Sequence, residues 1–545
     1  MHALFLLLCS HQGPTPLPAP EGLLGSPLAY VEVLRPHAWL RALRELDLGL
    51  PAAAADRIWG ELEPGLADLE TAVGPLEPLM DALAGERAAL ALAQTNGGSP
   101  FVSAVLEGPD PAAARAAIDG ALAHLGSRFG APNASRPVHP SLAGATWWQI
   151  PDAGWLVQRA GRTYWAPTEQ PLKEYLHADA VEPRGRSEGA PLVAFADLTR
   201  WRSAVGDNAF RDWDLLARQP EGLLVLGAGL VGFMGARTLE LSAERGAQSW
   251  SLELVGRGNS DPLGALRPDE AARPRQFLHS EQNLASALFY RDVGRITVDR
   301  QRYLPAQAAA KMASKLRELE IFFGGLRLDE EVLARLSPWL QIAVREVHLP
   351  TGEGPALILP AAVLVVDTAA DDRLAHALES AFQGLVALSN VEARQAGRSR
   401  SFVLRTERVG SVSYSVAVPP PLAPAEQGDL FYNLKPALAV TDGCLVLASH
   451  AALLVDVLDE LLPVAAPSAK ELPREFVHVS GPALARWAAP QEATLDLLLS
   501  LIVPDGPTVA EWMRWFGGGS LSLELEYAPG QLHLRGSVGA LESGR

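Results

Sequence analysis

The sequence predicts an α+β protein built as two tandem copies of one unit, each a mostly antiparallel sheet with helices packed on one face. Three observations predict it. Short apolar runs alternate with polar residues at period two and are separated by tight turns, which is the pattern of half-buried strands. Helical stretches opened by Asp or Pro fall between those runs, and the order of the first half returns in the second. Strands that follow one another through short turns pair antiparallel, and the helices between them need an apolar face to cover.

Within the first copy the expected order is a strand over 28–33, helices, paired strands over 88–94 and 101–107, a helix over 111–125, and further strands. A helix, a strand, a helix and a closing hairpin complete it. The strand–helix–strand–strand–helix portion has the order of a ferredoxin-like unit. The repeat is carried by four collinear matches. Residues 154–166 with the helical run to Leu176 parallel residues 436–448 with the run to Leu458. Leu156, Gly161, Ala166, Leu172 and Leu176 coincide there with Leu438, Gly443, Ala448, Leu454 and Leu458. Residues 101–107 parallel 362–367, each before a helix. Val193 with Trp201 parallels Val477 with Trp487, and Leu239, Leu241 and Gly246 parallel Leu523, Leu525 and Gly530. The spacing between copies grows along the chain, so copy two carries an insertion of roughly two dozen residues. Its place is 389–427, whose Arg-rich and Pro-Pro-Pro segments read as surface loop. The expected division is a possible export signal and Pro-rich linker over 1–26, copy one over 27–260, a linker over 261–285 and copy two over 286–540.

Composition removes several function classes. At 48% hydrophobic and 20% charged residues over 545 positions, the chain can bury real cores, which excludes global disorder. A formal charge of -17 repels phosphate backbones, so no nucleic-acid partner is expected. No apolar run reaches the roughly 18 residues of a membrane-spanning helix. Residues 3–9, Ala-Leu-Phe-Leu-Leu-Leu-Cys, precede a proline-rich stretch in the order of a secretion signal and linker. No Lys or Arg stands before that run, so a cytoplasmic protein is the alternative. Cys9 and Cys444 provide neither a disulfide framework nor a thiolate metal site, and Cys444 reads as a small buried hydrophobe in a strand.

The motif that most resembles chemistry lies at 223–232, where Gly227, Gly229 and Gly232 satisfy G-x-G-x-x-G after an apolar run. A dinucleotide site needs a helix next, with apolar residues three and four apart. Instead Leu239, Leu241 and Ala243 alternate with Glu240, Ser242 and Glu244, and Trp250, Leu252 and Leu254 alternate after a turn. Period two predicts a hairpin. Copy two has Glu511, Met513 and Phe516 at the three glycine positions, so the glycines are not part of the shared architecture. No Gly-Lys pair, H-E-x-x-H or G-x-S-x-G occurs, and no metal or cofactor is expected.

Single residues read mainly as structure. His450 and Asp371 sit at helix starts as caps. Glu107 and Asp367 end equivalent strands, where a carboxylate could point into a cleft. Trp147 and Trp148, adjacent on one strand, place one indole on each face, and one of them is the candidate lining of a ligand groove.

The stretches 286–292, Ser-Ala-Leu-Phe-Tyr-Arg-Asp, and 322–325, Phe-Phe-Gly-Gly, within the duplicated layout resemble large uncharacterised bacterial proteins of a domain-of-unknown-function family. The resemblance implies an envelope location and transfers no catalytic residue. The expected function is therefore a non-catalytic binding or scaffold protein of the cell envelope, with a protein or a small apolar ligand as partner. The alternatives are a FAD- or NAD-dependent oxidoreductase using residues 227–232, and a carrier for an apolar ligand.

Overall fold

The computed structural model describes residues 26–36, 76–94, 100–129, 145–150, 154–159, 162–177, 192–205, 233, 236–245, 249–258, 282–304, 306–348, 355–397, 401–421, 429–441, 443–461, 474–502, 508–510, 519–528 and 531–539. The chain forms two compact units. Of the described residues, the first takes those up to 258 with 528 and 531–535, and the second takes those from 282 to 527 with 536–539.

The first unit runs β1 (Ser26–Leu34), α1 (Leu76–Ala84), β2 (Arg87–Gln94), β3 (Pro100–Glu107), α2 (Pro111–Phe129), β4 (Thr146–Ile150), β5 (Gly154–Arg159), β6 (Arg162–Ala166), α3 (Glu169–His177), β7 (Leu192–Asp197) and α4 (Leu198–Val205). The hairpin β8 (Thr238–Arg245) and β9 (Ser249–Arg257) closes it. Every pairing is antiparallel, and the strands lie in the order β9-β8-β7-β1-β2-β3-β6-β5-β4. The first strand is thus central, hydrogen-bonded on one side to its sequence neighbour β2 and on the other to β7.

The second unit runs β10 (Asn283–Tyr290), α5 (Val293–Val298), α6 (Arg300–Tyr303), α7 (Ala306–Leu319), β11 (Leu336–Arg345), β12 (Ala361–Thr368), α8 (Asp372–Gln395), β13 (Val403–Val409), β14 (Val412–Val418), β15 (Ala437–Thr441) and β16 (Cys444–Ala448). Then come α9 (Ala451–Leu461), β17 (Glu475–Ser480), α10 (Gly481–Ala488), α11 (Glu492–Ile502) and β18 (Ser520–Ala528); the last strand described, β19 (Gln531–Gly539), is divided between the units after Arg535. Its order is β18-β17-β10-β11-β12-β16-β15-β14-β13, again antiparallel throughout.

The expectation of helices on one face is corrected by the structure. Trp147 packs with Val157, Tyr164 and Leu172, the last on α3. Its neighbour Trp148 packs with Ile118 and Leu122 of α2 on the opposite face. In the second unit Val446 packs with Leu454 and Leu458 of α9, whereas Leu445 packs with Phe382 and Val386 of α8. The reason lies in the central strands: β16, Cys-Leu-Val-Leu-Ala, is apolar at every position, and a strand apolar on both faces needs cover on both.

The stretch 389–427, expected as surface loop, is not loop alone. Residues 412–418 alternate at period two, and with 403–409 they form the hairpin β13–β14 around Gly410 (φ +55°), the first residue of a two-residue turn. β14 pairs with β15 as β4 pairs with β5. β13 has no counterpart among the described strands of the first unit.

Local closeness also fixes some glycines. At Gly294 in α5 a Cβ would lie 2.5 Å from Ala334 Cα and 2.9 Å from Leu333 O, backbone atoms that cannot rotate aside. Gly294→Ala is expected to cost about 2–3 kcal/mol, read as a lower urea midpoint at unchanged slope.

Candidate functional site

The hairpin expected from period two at 239–254 is what forms. Residues 238–245 are β8, hydrogen-bonded to β7 and β9, where a dinucleotide fold would continue as helix. Gly227, Gly229 and Gly232 themselves lie outside the described residues. Trp147 and Trp148 do face opposite sides of β4, and both are buried, at 1% and 3% exposure. Trp148 Nε1 donates to Asp119 Oδ1 at 2.8 Å, which ties β4 to α2. Trp147 stacks edge-on against Trp155 with ring centroids 6.5 Å apart. Both indoles are packed against the protein's own core.

Charged side chains that could have formed an acid–base site are engaged with one another. Arg87, 2% exposed, donates from Nε to Glu32 and from Nη1 to Glu107 at 3.0 Å, and Arg162 donates to the same Glu107 oxygen. Glu107 is therefore held between two guanidinium groups across β2, β3 and β6. Glu240 accepts both arms of Arg257 at 2.9 and 3.2 Å. In the second unit Arg345 reaches Asn283 at 2.6 Å and both oxygens of Glu460 at 2.5 and 2.9 Å, linking β11 to α9.

The most deeply buried pair is Arg291 with Glu475, joining the end of β10 to the start of β17. Arg291 Nη1 lies 2.8 and 2.7 Å from the two carboxylate oxygens and 2.5 Å from Tyr290 O, and its guanidinium sits over the Phe289 ring. Burial pushes the Glu475 carboxyl up, while the guanidinium beside it pulls it down. Burial and the carboxylate also push the Tyr527 hydroxyl up. A pair so enclosed joins strands, and removing one member would leave the other charge uncompensated.

A cluster that period-two reading alone did not single out runs across three strands. Ser286 of β10 stands in register with His478 of β17, and His478 with Ser522 of β18. His478 Nδ1 lies 2.9 Å from Ser522 Oγ. The signal was present in the alternation of each strand, but only the register brings the three residues onto one face. A hydroxyl against an imidazole is the contact from which nucleophiles are activated; in this row it serves as a cross-strand side-chain pair.

The capping expectations hold in geometry. Asp371 accepts from Arg373 N–H at 2.8 Å and Leu374 N–H at 3.3 Å, and those backbone bonds lead the causes that hold its carboxyl below the usual range. His450 Nδ1 accepts from Ala452 N–H at 3.2 Å at the start of α9. Cys444 is buried in the apolar cluster beneath α9.

On α8 the second unit turns an apolar stripe outward. On α8, Leu374, Ala377 and Ala381 are buried, and the same helical stripe continues three and four residues apart to Leu385 and Leu388, which are 46% and 40% exposed. Beside it the turn Glu320–Phe323 rests the Phe322 ring where a Cβ on Gly384 would be, and leaves Ile321 78% exposed. Val391, one turn further, is exposed as well. This stripe is the candidate site.

Among the described residues no group of three or more His, Cys, Asp or Glu side chains is placed to hold a metal ion, and no helix is long and apolar enough to cross a membrane. Comparison with family models, with curated proteins and with solved structures finds no match to this chain.

The cap at His450 has a pH signature. Burial, and then Lys435, push the imidazole down to about 4 from 6.5. A depressed folded-state value means the unfolded chain takes the proton first. The cap's contribution is complete above about pH 6.5 and is lost as pH falls toward 4, on the order of 2–3 kcal/mol. His450→Asn, which keeps an acceptor without titrating, is expected to flatten the stability curve in that window when denaturant midpoints are measured from pH 4 to 7.

Proposed function

We propose that this chain is a non-catalytic binding or scaffold protein made of two duplicated α+β halves, and that it engages a protein partner through the apolar stripe of α8. The observation that carries the reading is the exposure of Leu385, Leu388 and Ile321 in one neighbourhood, while the buried ionisable groups are matched to each other. Large apolar side chains grouped on a surface mark contact sites, whereas single ones need no explanation.

The duplication is supported by strand order. In each half the first strand lies between the second and the strand that precedes the closing segment, and the third pairs with the strand just before the next-but-one helix, β6 before α3 and β16 before α9. Trp147 opposite Val157 corresponds to Tyr414 opposite Ala439, both buried. Ala166 and Leu172 correspond to Ala448 and Leu454 in the same way. A protein doubled in this manner, with an insertion in one half, carries a distinct surface on that half.

An envelope location belongs to the proposal through the apolar residues 3–9 and the resemblance of 286–292 and 322–325. The strand at 238–245 weighs against the nucleotide-dependent alternative, and the packed indoles weigh against a carrier lined by Trp147 or Trp148.

Native mass spectrometry of the gently purified protein, compared with its denatured mass, tests the reading. A stoichiometric nucleotide or lipid would overturn it. A co-purifying protein is expected to be retained by the wild type and lost from Leu385→Asp/Leu388→Asp with far-ultraviolet circular dichroism unchanged; retention by that variant would remove α8 from the account.

A further inference from the structure

The hairpin that distinguishes the second half ends in an open strand. Among the described residues β13 pairs with β14 alone, and β14 uses its other edge for β15. Ala417 N–H donates to Pro436 O at 2.8 Å, so alternate residues of β14 from Ser413 direct their backbone groups toward β15 and the others toward β13. The register then points Val403, Arg405, Glu407 and Val409 inward to β14. The backbone N–H and C=O groups of Leu404, Thr406 and Arg408 face outward. The side chains of 403–406 and of Arg408 are exposed, Val403 at 54%.

An exposed edge is a template for another strand, and charges on it commonly block association. The charges on β13 have an order that does the opposite in one arrangement. The strand reads Val-Leu-Arg-Thr-Glu-Arg-Val from 403 to 409. Laid antiparallel against a copy of itself with Thr406 on the two-fold axis, it sets Val403 against Val409, Arg405 against Glu407 and Thr406 against Thr406. Leu404 meets the aliphatic stem of Arg408. Opposite charges, Thr pairs and β-branched pairs are the favourable cross-strand combinations. Two-fold pairing keeps each side chain on its own face, and Thr406, with outward backbone groups, makes the central hydrogen-bonded pair.

The register is selective. Moving the copy by two residues in one direction places Arg405 on Arg405, and in the other places Glu407 on Glu407, both repulsive. A slip by one residue exchanges the faces. Glu407 is held by the Tyr414 hydroxyl, which donates to its Oε2 at 2.7 Å and leaves the other oxygen for a guanidinium.

We propose that β13 is a self-association edge whose partner is the β13 strand of a second copy of this chain, joined antiparallel about Thr406 in an isologous dimer. The inference does not depend on the binding role of α8.

Sedimentation velocity of the full chain over a concentration series is expected to show a monomer–dimer equilibrium. Thr406→Pro removes an outward N–H and no bond to β14, a substitution an edge strand accommodates; it is expected to give monomer. Glu407→Arg and Arg405→Glu each place like charges across the joint and are expected to weaken the dimer roughly tenfold or more. Mixing those two single variants one to one is expected to restore dimer, because every acidic position then meets a basic one. Leu385→Asp/Leu388→Asp, which leaves the strand intact, is expected to stay dimeric. A wild type that is monomeric throughout the series, or a dimer indifferent to both Thr406→Pro and Glu407→Arg, overturns the proposal.

Discussion

The structure depends on strands that are apolar on both faces and hydrogen-bonded on both edges. β16 is the clearest: it lies between β12 and β15, and its consecutive residues Leu445 and Val446 are buried under different helices. A strand so placed is buried at every residue but Leu447, and helices cross above and below it. The helix that follows β16 covers one face at once, since His450 caps α9 immediately after the strand ends. The other face waits for α8, which comes earlier in the chain and runs back over β14 and β15. The same arrangement around β4 and β5 sets α2 and α3 on opposite sides.

Double cover leaves little room for water, and the charged residues at strand ends reflect that. Arg87, Arg291 and Arg345 are each at most 3% exposed, and each has a carboxylate on another element. Taking two ions out of water costs several kcal/mol per ion before their attraction returns any of it. Such pairs therefore add little net stability, but a wrong register would strand a charge. They are better understood as devices that admit only one pairing of strands whose apolar side chains would tolerate several. A guanidinium suits the task because it can bond a carboxylate and a carbonyl together, as Arg291 does with Glu475 and Tyr290.

This physics explains which parts could be read from the residues. Strand existence and the order strand–helix–strand were legible because period two and period 3.6 are local patterns; the hairpin at 238–257 could be separated from a dinucleotide fold on alternation alone. The faces were not legible. An apolar run such as Cys444 to Ala448 does not say whether one helix or two will cover it, and the expectation of one-sided cover failed there. The hairpin at 403–418 was hidden by Arg and Pro residues that looked like loop and by a first strand, 403–409, without alternation, although 412–418 alternates regularly. Arg291 and Glu475 lie 184 residues apart, and nothing local to either announces the other. The stripe on α8 was visible as periodicity, but its uncovered end depends on where the turn at 320–323 stops.

The two halves differ most where the sheet runs out. In the first, the last strand of the order is β4, only five residues long and carrying two buried indoles. Short, heavily packed edges offer few free backbone groups and little incentive to pair. In the second, the last strand of the order is β13, seven residues long with most side chains exposed. α8 lies over β14 and β15 and α9 over β12, β15 and β16, while the Asn390 amide of α8 bonds the backbone of Phe402 just before β13. An open edge must be guarded or used, and a strand whose charges repel when a copy moves two residues either way and match in the register between is suited to use.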